Sequence, residues 1–240
     1  MLEKVPLDKV LFLDIETVPQ TYHFTELDDK TRELFEAKTR SLKKDDNSYP
    51  DIYGDRAGIF AEFGKIVCIS VGFVNETATG RQIRMKSYYH DDEETLLKQF
   101  KSLLDERYNS QYHALCGHNA KEFDLPYISR RMLIHGIKLP FLLDNAGKKP
   151  WEINNLDTME LWKFGDYKAY TSLALLCHVF KIPTPKDDIS GADVARVYYE
   201  ENDLKRIKTY CEKDVVALIQ LFLRMRGDSL VEEGEIYLTN

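Results

Sequence analysis

The sequence predicts an α/β fold with a mixed five-stranded sheet flanked by helices. Apolar, β-branched runs at residues 10–18, 65–74 and 82–89 have the composition of strands. Apolar stripes at helical spacing fill segments such as 96–104 and 204–226. The two kinds interleave as strand, hairpin, helix, strand, helix, strand, helices, which suits one mixed sheet covered by helices. At 240 residues the chain is long enough for one sizeable core.

Residues 10–18, V-L-F-L-D-I-E-T-V, form the first strand and the natural centre of the sheet. Residues 27–40 are rich in helix formers. Residues 41–58 are polar, carry Pro50, Gly54 and Gly58, and read as a long surface loop. The strands at 65–74 and 82–89, with a turn signal over 75–80, make an antiparallel hairpin. Leu96, Leu97, Phe100, Leu103 and Leu104 then recur at helical spacing, capped by Asp91 or Asp92. Residues 112–117 give a short strand ending in G-H-N. The next helix spans 123–137, with Pro126 tolerated in its first turn and Gly136 at its end. Residues 139–155 are irregular, and 156–161 read as a short strand. Helices follow at 172–180, 192–200 and 204–226, the first two separated by a loop at 182–191. The single domain is expected to span 1–226. The acidic tail, 227–240, reads as a frayed or loosely docked end.

Hydrophobic content of 43% and charged content of 30% are those of an ordinary globular chain. There is no apolar run near the roughly 20 residues of a membrane span, and residues 1–9 lack the apolar core of a secretory signal. Cys68, Cys116, Cys177 and Cys211 lie far apart, without a C-x-x-C pair. They read as buried free thiols in a reducing compartment, so the expected location is cytoplasmic. A net charge of −7 argues against coating long nucleic acid by electrostatics alone. It leaves room for an enzyme that grips a short strand end.

Three stretches carry chemistry. In a strand, residues i and i+2 share a face, so Asp14 and Glu16 project together. Buried side by side they need a cation, and oxygen ligands suit magnesium or manganese; at a solvated edge they need none. Asp124 opens a helix just after G-H-N-A-K-E-F, where backbone N–H groups favour a carboxylate. The plainer reading is an N-cap. Tyr210 and Asp214 lie one turn apart on the last helix, at the margin of its apolar stripe. Asp214 there needs a partner, with a salt bridge as the plain alternative.

Taken together, D-I-E-T, N-x-x-x-F-D-L-P-Y-I and Y-C-x-x-D resemble the three exonuclease motifs of the DEDD superfamily, in its tyrosine-containing DEDDy branch. The likeness is to the 3′–5′ proofreading exonuclease domains of B-family DNA polymerases, carried by a stand-alone chain. It implies an RNase H-like fold with the hairpin antiparallel to the central strand. It also implies a catalytic set of Asp14, Glu16, Asp124, Tyr210 and Asp214, in which the four carboxylates hold two divalent ions, Mg2+ or Mn2+. The implied activity is 3′–5′ hydrolysis of single-stranded nucleic acid, DNA ahead of RNA, releasing nucleoside 5′-monophosphates. Asn119, Phe123, Tyr127 and Thr17 are the substrate-contact candidates, the aromatic ones by stacking on bases. Asp157, in L-D-T, is a candidate for supporting the set from behind. Two other readings share parts of the pattern. A haloacid-dehalogenase-like phosphatase also opens on an acidic pair followed by Thr, but wants Asp where Glu16 stands and leaves Asp124 and Tyr210–Asp214 without a role. An idle nucleic-acid-binding module of the same fold would tolerate loss of these residues.

Overall fold

A computed structural model describes residues 2–78, 80–166, 168, 170–183 and 189–239. Strands β1 (Val10–Pro19), β2 (Gly64–Thr77), β3 (Gly80–Tyr89), β4 (Ala114–Gly117), β5 (Leu156–Asp157) and β6 (Ile236–Thr239) form one mixed sheet. Its order is β5-β4-β1-β2-β3-β6, which puts β1 in the interior. β1 runs antiparallel to β2, with Asp14 opposite Ser70 and Glu16 opposite Cys68. On its other side it pairs in parallel with β4. β2 and β3 form the expected antiparallel hairpin.

The alternation of β1 decides where everything else goes. Leu11, Leu13 and Ile15 point to one face, packed by Leu96, Leu97, Phe100 and Leu104 of α3 (Glu93–Arg107) and Leu125, Ile128 and Met132 of α4 (Asp124–Ile134). Val10 and Phe12 point to the other face, against Val215, Leu218, Ile219 and Phe222 of α8 (Leu204–Arg226). Val18 of β1, together with Cys68 of β2, packs on Ile207 and Cys211 nearer the start of α8. Asp14 and Glu16 belong to this second face, between two apolar stretches of the same strand. The first face is tied together by a buried ion pair. Glu93, the first residue of α3, accepts from Arg131 Nε of α4 at 2.9 Å and from the Ile66 N–H of β2 at 2.7 Å, while Arg131 donates to the Ala61 carbonyl.

Four expectations change. The sheet gains a sixth strand: 236–239 is not a frayed tail but pairs in parallel with the outer side of β3. Its approach is fixed by Gln220 of α8, whose side chain bonds both the N–H and the carbonyl of Val231. An otherwise open sheet edge and the β-formers I-Y-L-T account for this pairing. Secondly, 41–58 is not one long loop. After α1 (Asp29–Thr39), helix α2 (Tyr49–Arg56) starts at a capping box in which Ser48 and Asp51 bond each other's backbone N–H. It buries Ile52 and Tyr53 against Phe24, Phe35 and Phe63. Thirdly, 156–161 is a strand for two residues only. Asp157 then caps α5 (Thr158–Lys163) by accepting the Met159 and Glu160 N–H groups. Finally, the hairpin strands run further into 75–80 than the turn signal suggests, to a Thr77–Gly80 pair. Helices α6 (Leu173–Val179) and α7 (Val194–Tyr199) fall within the expected spans. The expected loop at 182–191 lies partly outside the described residues.

Candidate active site

The site begins with the alternation of β1. Glu16 is 7% exposed, and among the described residues no donor makes a hydrogen bond to its carboxylate. Burial is the main force raising its pKa well above the usual carboxylate range, with Asp14 and Cys68 adding to it. Asp14, less deeply covered, is raised first by burial and then by Asp124 and Asp214 beside it; a hydrogen bond from the Cys211 thiol pulls the other way. A shift of register between Glu16 and Thr17 ends the regular alternation just past the pair.

Asp124 comes from the other face, around the end of β4. Its loop is built tightly. Gly117 is obligatory because a Cβ there would fall 2.3 Å from that of Ala120. Asn119 adopts a left-handed backbone at φ 62°, which Asn tolerates better than most residues. Asp157 of β5 accepts the backbone N–H groups of Asn119 at 2.9 Å and Lys121 at 3.0 Å. The same carboxylate that caps α5 therefore also holds this loop. Asp124 follows as the first residue of α4, 4% exposed. Burial pushes its carboxyl up to about 7, against the pull of its own N–H and that of Ile15; Asp157 adds to the rise.

Helix α8 brings the last members. Tyr210 lies one turn before Asp214, and its phenol is raised far above its ordinary value by burial, then by Asp214, Glu16 and Asp14. Cys211 is fully buried between them and β1, its thiol donating to the Asp14 carbonyl at 3.4 Å and to Asp14 Oδ2 at 3.5 Å. Ligand-capable atoms of Asp14, Glu16 and Cys211 lie within 4.8 Å of one another.

The chain thus brings Asp14, Glu16, Asp124, Tyr210 and Asp214 into one electrostatic neighbourhood. It treats the substrate-contact candidates differently. Tyr127 is 1% exposed, with its hydroxyl donating to the Gly58 carbonyl at 2.8 Å. It cannot offer a face to a base, and the stacking expectation for it is corrected. Its position three residues into α4 turns it onto the core side, where Gly64 leaves room for it. Thr17 is half-buried, just past the register shift and opposite Ile66 of β2. Phe123 is half-buried, 5.4 Å from the Tyr127 ring and packed on the core. Asn119 is half-buried, its carbonyl accepting the Phe123 N–H at 3.1 Å. Lys121, next in the chain to this loop's Asn119 and Ala120, pairs with Glu160 at 2.7 Å. The residue that sequence reasoning assigned only to packing is Cys211. Its place beside Tyr210 in Y-C-x-x-D was the available signal.

The carboxylates of the cluster offer hard oxygens, and a deeply buried one, Glu16, has no hydrogen-bond donor among the described residues; the Cys211 thiol holds its proton toward Asp14. That chemistry fits a divalent cation. Among the described residues no helix is long and apolar enough to cross a membrane.

Comparison with known proteins gives two results. A family model described as a predicted 3′–5′ exonuclease related to the exonuclease domain of PolB matches residues 59–234. Among solved structures, the family B DNA polymerase from the hyperthermophilic archaeon Pyrobaculum calidifontis superposes with a TM-score of 0.54 at 16% identity, covering 89% of this chain. The chain spans 24% of that polymerase's length. At that identity the likeness establishes the fold, a mixed sheet flanked by helices of the RNase H-like kind. No curated protein matches.

Proposed function

Because the chain belongs to the family of predicted 3′–5′ exonucleases related to the exonuclease domain of PolB, we propose that it is a metal-dependent 3′–5′ exonuclease of the DEDDy type. Its substrate is single-stranded nucleic acid, DNA ahead of RNA, and its product nucleoside 5′-monophosphate. The observation that carries this reading is the convergence of Asp14, Glu16 and Asp124, all raised in pKa by burial, with Asp214 beside them.

Asp14, Glu16, Asp124 and Asp214 would hold two divalent ions, Mg2+ or Mn2+. When bound, such ions supply Lewis-acid stabilisation of the charge that gathers on the phosphate. The protein's own part is positional. A strand, a helix N-terminus and a long helix each fix one side of the cluster, so the carboxylates need little reorganisation. Asp157 holds the Asp124 loop in place through two backbone N–H groups. Tyr210 keeps its proton at neutral pH, since its pKa lies far above the ordinary phenol value. It serves to orient the attacking water by a hydrogen bond, not to deprotonate it. In the reaction the water gives up a proton to solvent as its oxygen bonds to phosphorus, the bond from phosphorus to the 3′ oxygen breaks, and that oxygen takes up a proton in return.

The test uses oligonucleotides of DNA and RNA labelled at the 3′ or the 5′ end, incubated with Mg2+ or Mn2+. The expected result is a 5′-labelled ladder shortening from the 3′ end, lost with EDTA and lowered at least about 100-fold in Asp14→Ala and Asp214→Ala. Binding without cleavage would move the assignment to an idle module. Cleavage of p-nitrophenyl phosphate but not of either polymer would move it to a phosphatase.

A further inference from the structure

The segment that leads from α5 to α6 presents a surface that the chemistry above does not use. Helix α5 ends at Lys163, and the next residue, Phe164, is left-handed at φ 44° and 90% exposed. A phenylalanine gains nothing from either condition. A left-handed turn at a helix end is ordinarily taken by Gly or Asn, and an exposed ring buries no area. A few residues on, Tyr170 is 64% exposed, with Lys163 Nζ lying 4.4 Å above its ring centre. Lys163, which precedes Phe164 in the chain, thus lays its ammonium over the exposed Tyr170 ring, with Glu122 3.9 Å away.

The position of these rings is tied to the site from both sides. Asp157 clamps α5 to the loop that delivers Asp124. His118 in that loop donates from Nε2 to the Thr171 carbonyl at 2.8 Å, while its Nδ1 accepts from Thr158 at 2.8 Å. Immediately afterwards α6 packs Leu176 and Cys177 on Ala217 and Leu221 of α8, the helix that carries Asp214. The rings therefore sit on the stretch that crosses from the Asp124 side to the Asp214 side of the cluster.

We propose that Phe164 and Tyr170, with the Lys163 ammonium, form a stacking platform for the unpaired bases of the strand whose 3′ end enters the carboxylate cluster. The proposal rests on the exonuclease reading. Aromatic faces accept any base, and a neighbouring cation suits the phosphates between bases, so the ligand is single-stranded nucleic acid of no fixed sequence. An apolar protein partner would be served poorly by a lysine laid across the ring.

The test compares wild type with Phe164→Gly, Phe164→Trp and Tyr170→Ala. Binding of a 5′-fluorescein oligothymidylate of about 12 nucleotides is followed by anisotropy in an Asp14→Ala background, so that the strand is not consumed. KM and kcat are measured with Asp14 intact. Phe164→Gly and Tyr170→Ala are each expected to weaken binding roughly 5- to 100-fold and to raise KM with kcat largely kept. Phe164→Gly should at the same time raise the Tm, since glycine suits the left-handed backbone; loss of binding in a stabilised protein is not misfolding. Phe164→Trp should keep binding and show indole quenching when the strand is added. Binding and KM within twofold of wild type in both truncations would overturn the platform and leave the exonuclease reading standing. A wild-type protein that neither binds nor trims any strand would overturn the exonuclease reading, and the platform with it. Self-association lost in Phe164→Gly, with strand binding unchanged, would make the surface a protein contact and also overturn the proposal.

Discussion

At the residue scale, Asp124 shows how the cluster couples to protons. Its carboxyl is raised from 3.8 to about 7, chiefly by burial. The folded protein therefore holds this proton more tightly than the unfolded chain. Its contribution to stability is fully present below the unfolded value, and it is lost as pH rises through about 7. In metal-free buffer the Tm should fall from about pH 4 to pH 8 more steeply in wild type than in Asp124→Asn. An equal slope in the two proteins would refute the assignment. Glu16 and Asp14 shift in the same direction, so Asp14→Asn should raise the metal-free Tm while lowering trimming. Tyr127 makes the opposite case, a residue in a functional motif with a structural task. Tyr127→Phe removes the hydrogen bond to the Gly58 carbonyl and is expected to cost about 1 kcal/mol. A denaturant melt reads that loss, and oligonucleotide binding should not change.

Among the elements, the start of β2 is the most tightly constrained junction. A Cβ on Gly64 would lie 2.2 Å from the Tyr127 hydroxyl and 2.7 Å from the Gly58 carbonyl. Gly64→Ala must push α4, the 57–59 turn or β2 itself out of place, at a cost of about 1–3 kcal/mol or more. Because α4 carries Asp124 at its first turn, trimming should fall together with stability, which urea melts and rate measurements on the same sample would establish. Helix α2 behaves more independently. Ser48→Ala breaks its capping box and should cost about 1 kcal/mol without touching the carboxylates, so trimming should stay near wild type.

For the molecule as a whole, the sheet and α8 hold together four acids contributed by distant parts of the chain. Without cations their repulsion opposes the fold. Mg2+ or Mn2+ should raise the Tm, by the equivalent of about 2.7 kcal/mol when the ion is at 100 times its Kd, with a larger effect at pH 8 than at pH 5. Calorimetry across a metal titration reads this directly, and Asp14→Ala should abolish most of it. An unchanged Tm at saturating metal would argue that the cluster holds no ion.

What the sequence by itself determined was whatever follows from local period. A spacing of two in β1 placed Asp14 and Glu16 on one face. A spacing of four on α8 placed Tyr210 beside Asp214, and Pro126 marked the first turn of the helix that opens at Asp124. These relations hold for any strand or helix, whatever packs on it. Tertiary structure alone decided the rest. Tyr127 is sealed because Gly64, far along the chain, leaves a space its ring fills. Cys211 meets Asp14 because α8 crosses the second face of β1. The tail becomes a strand because β3 offers it an unpaired edge, and 49–56 becomes a helix because Phe24, Phe35 and Phe63 can bury its Ile52 and Tyr53. Each of these depends on a partner surface contributed by another segment, and no local pattern reports what the other segment will present.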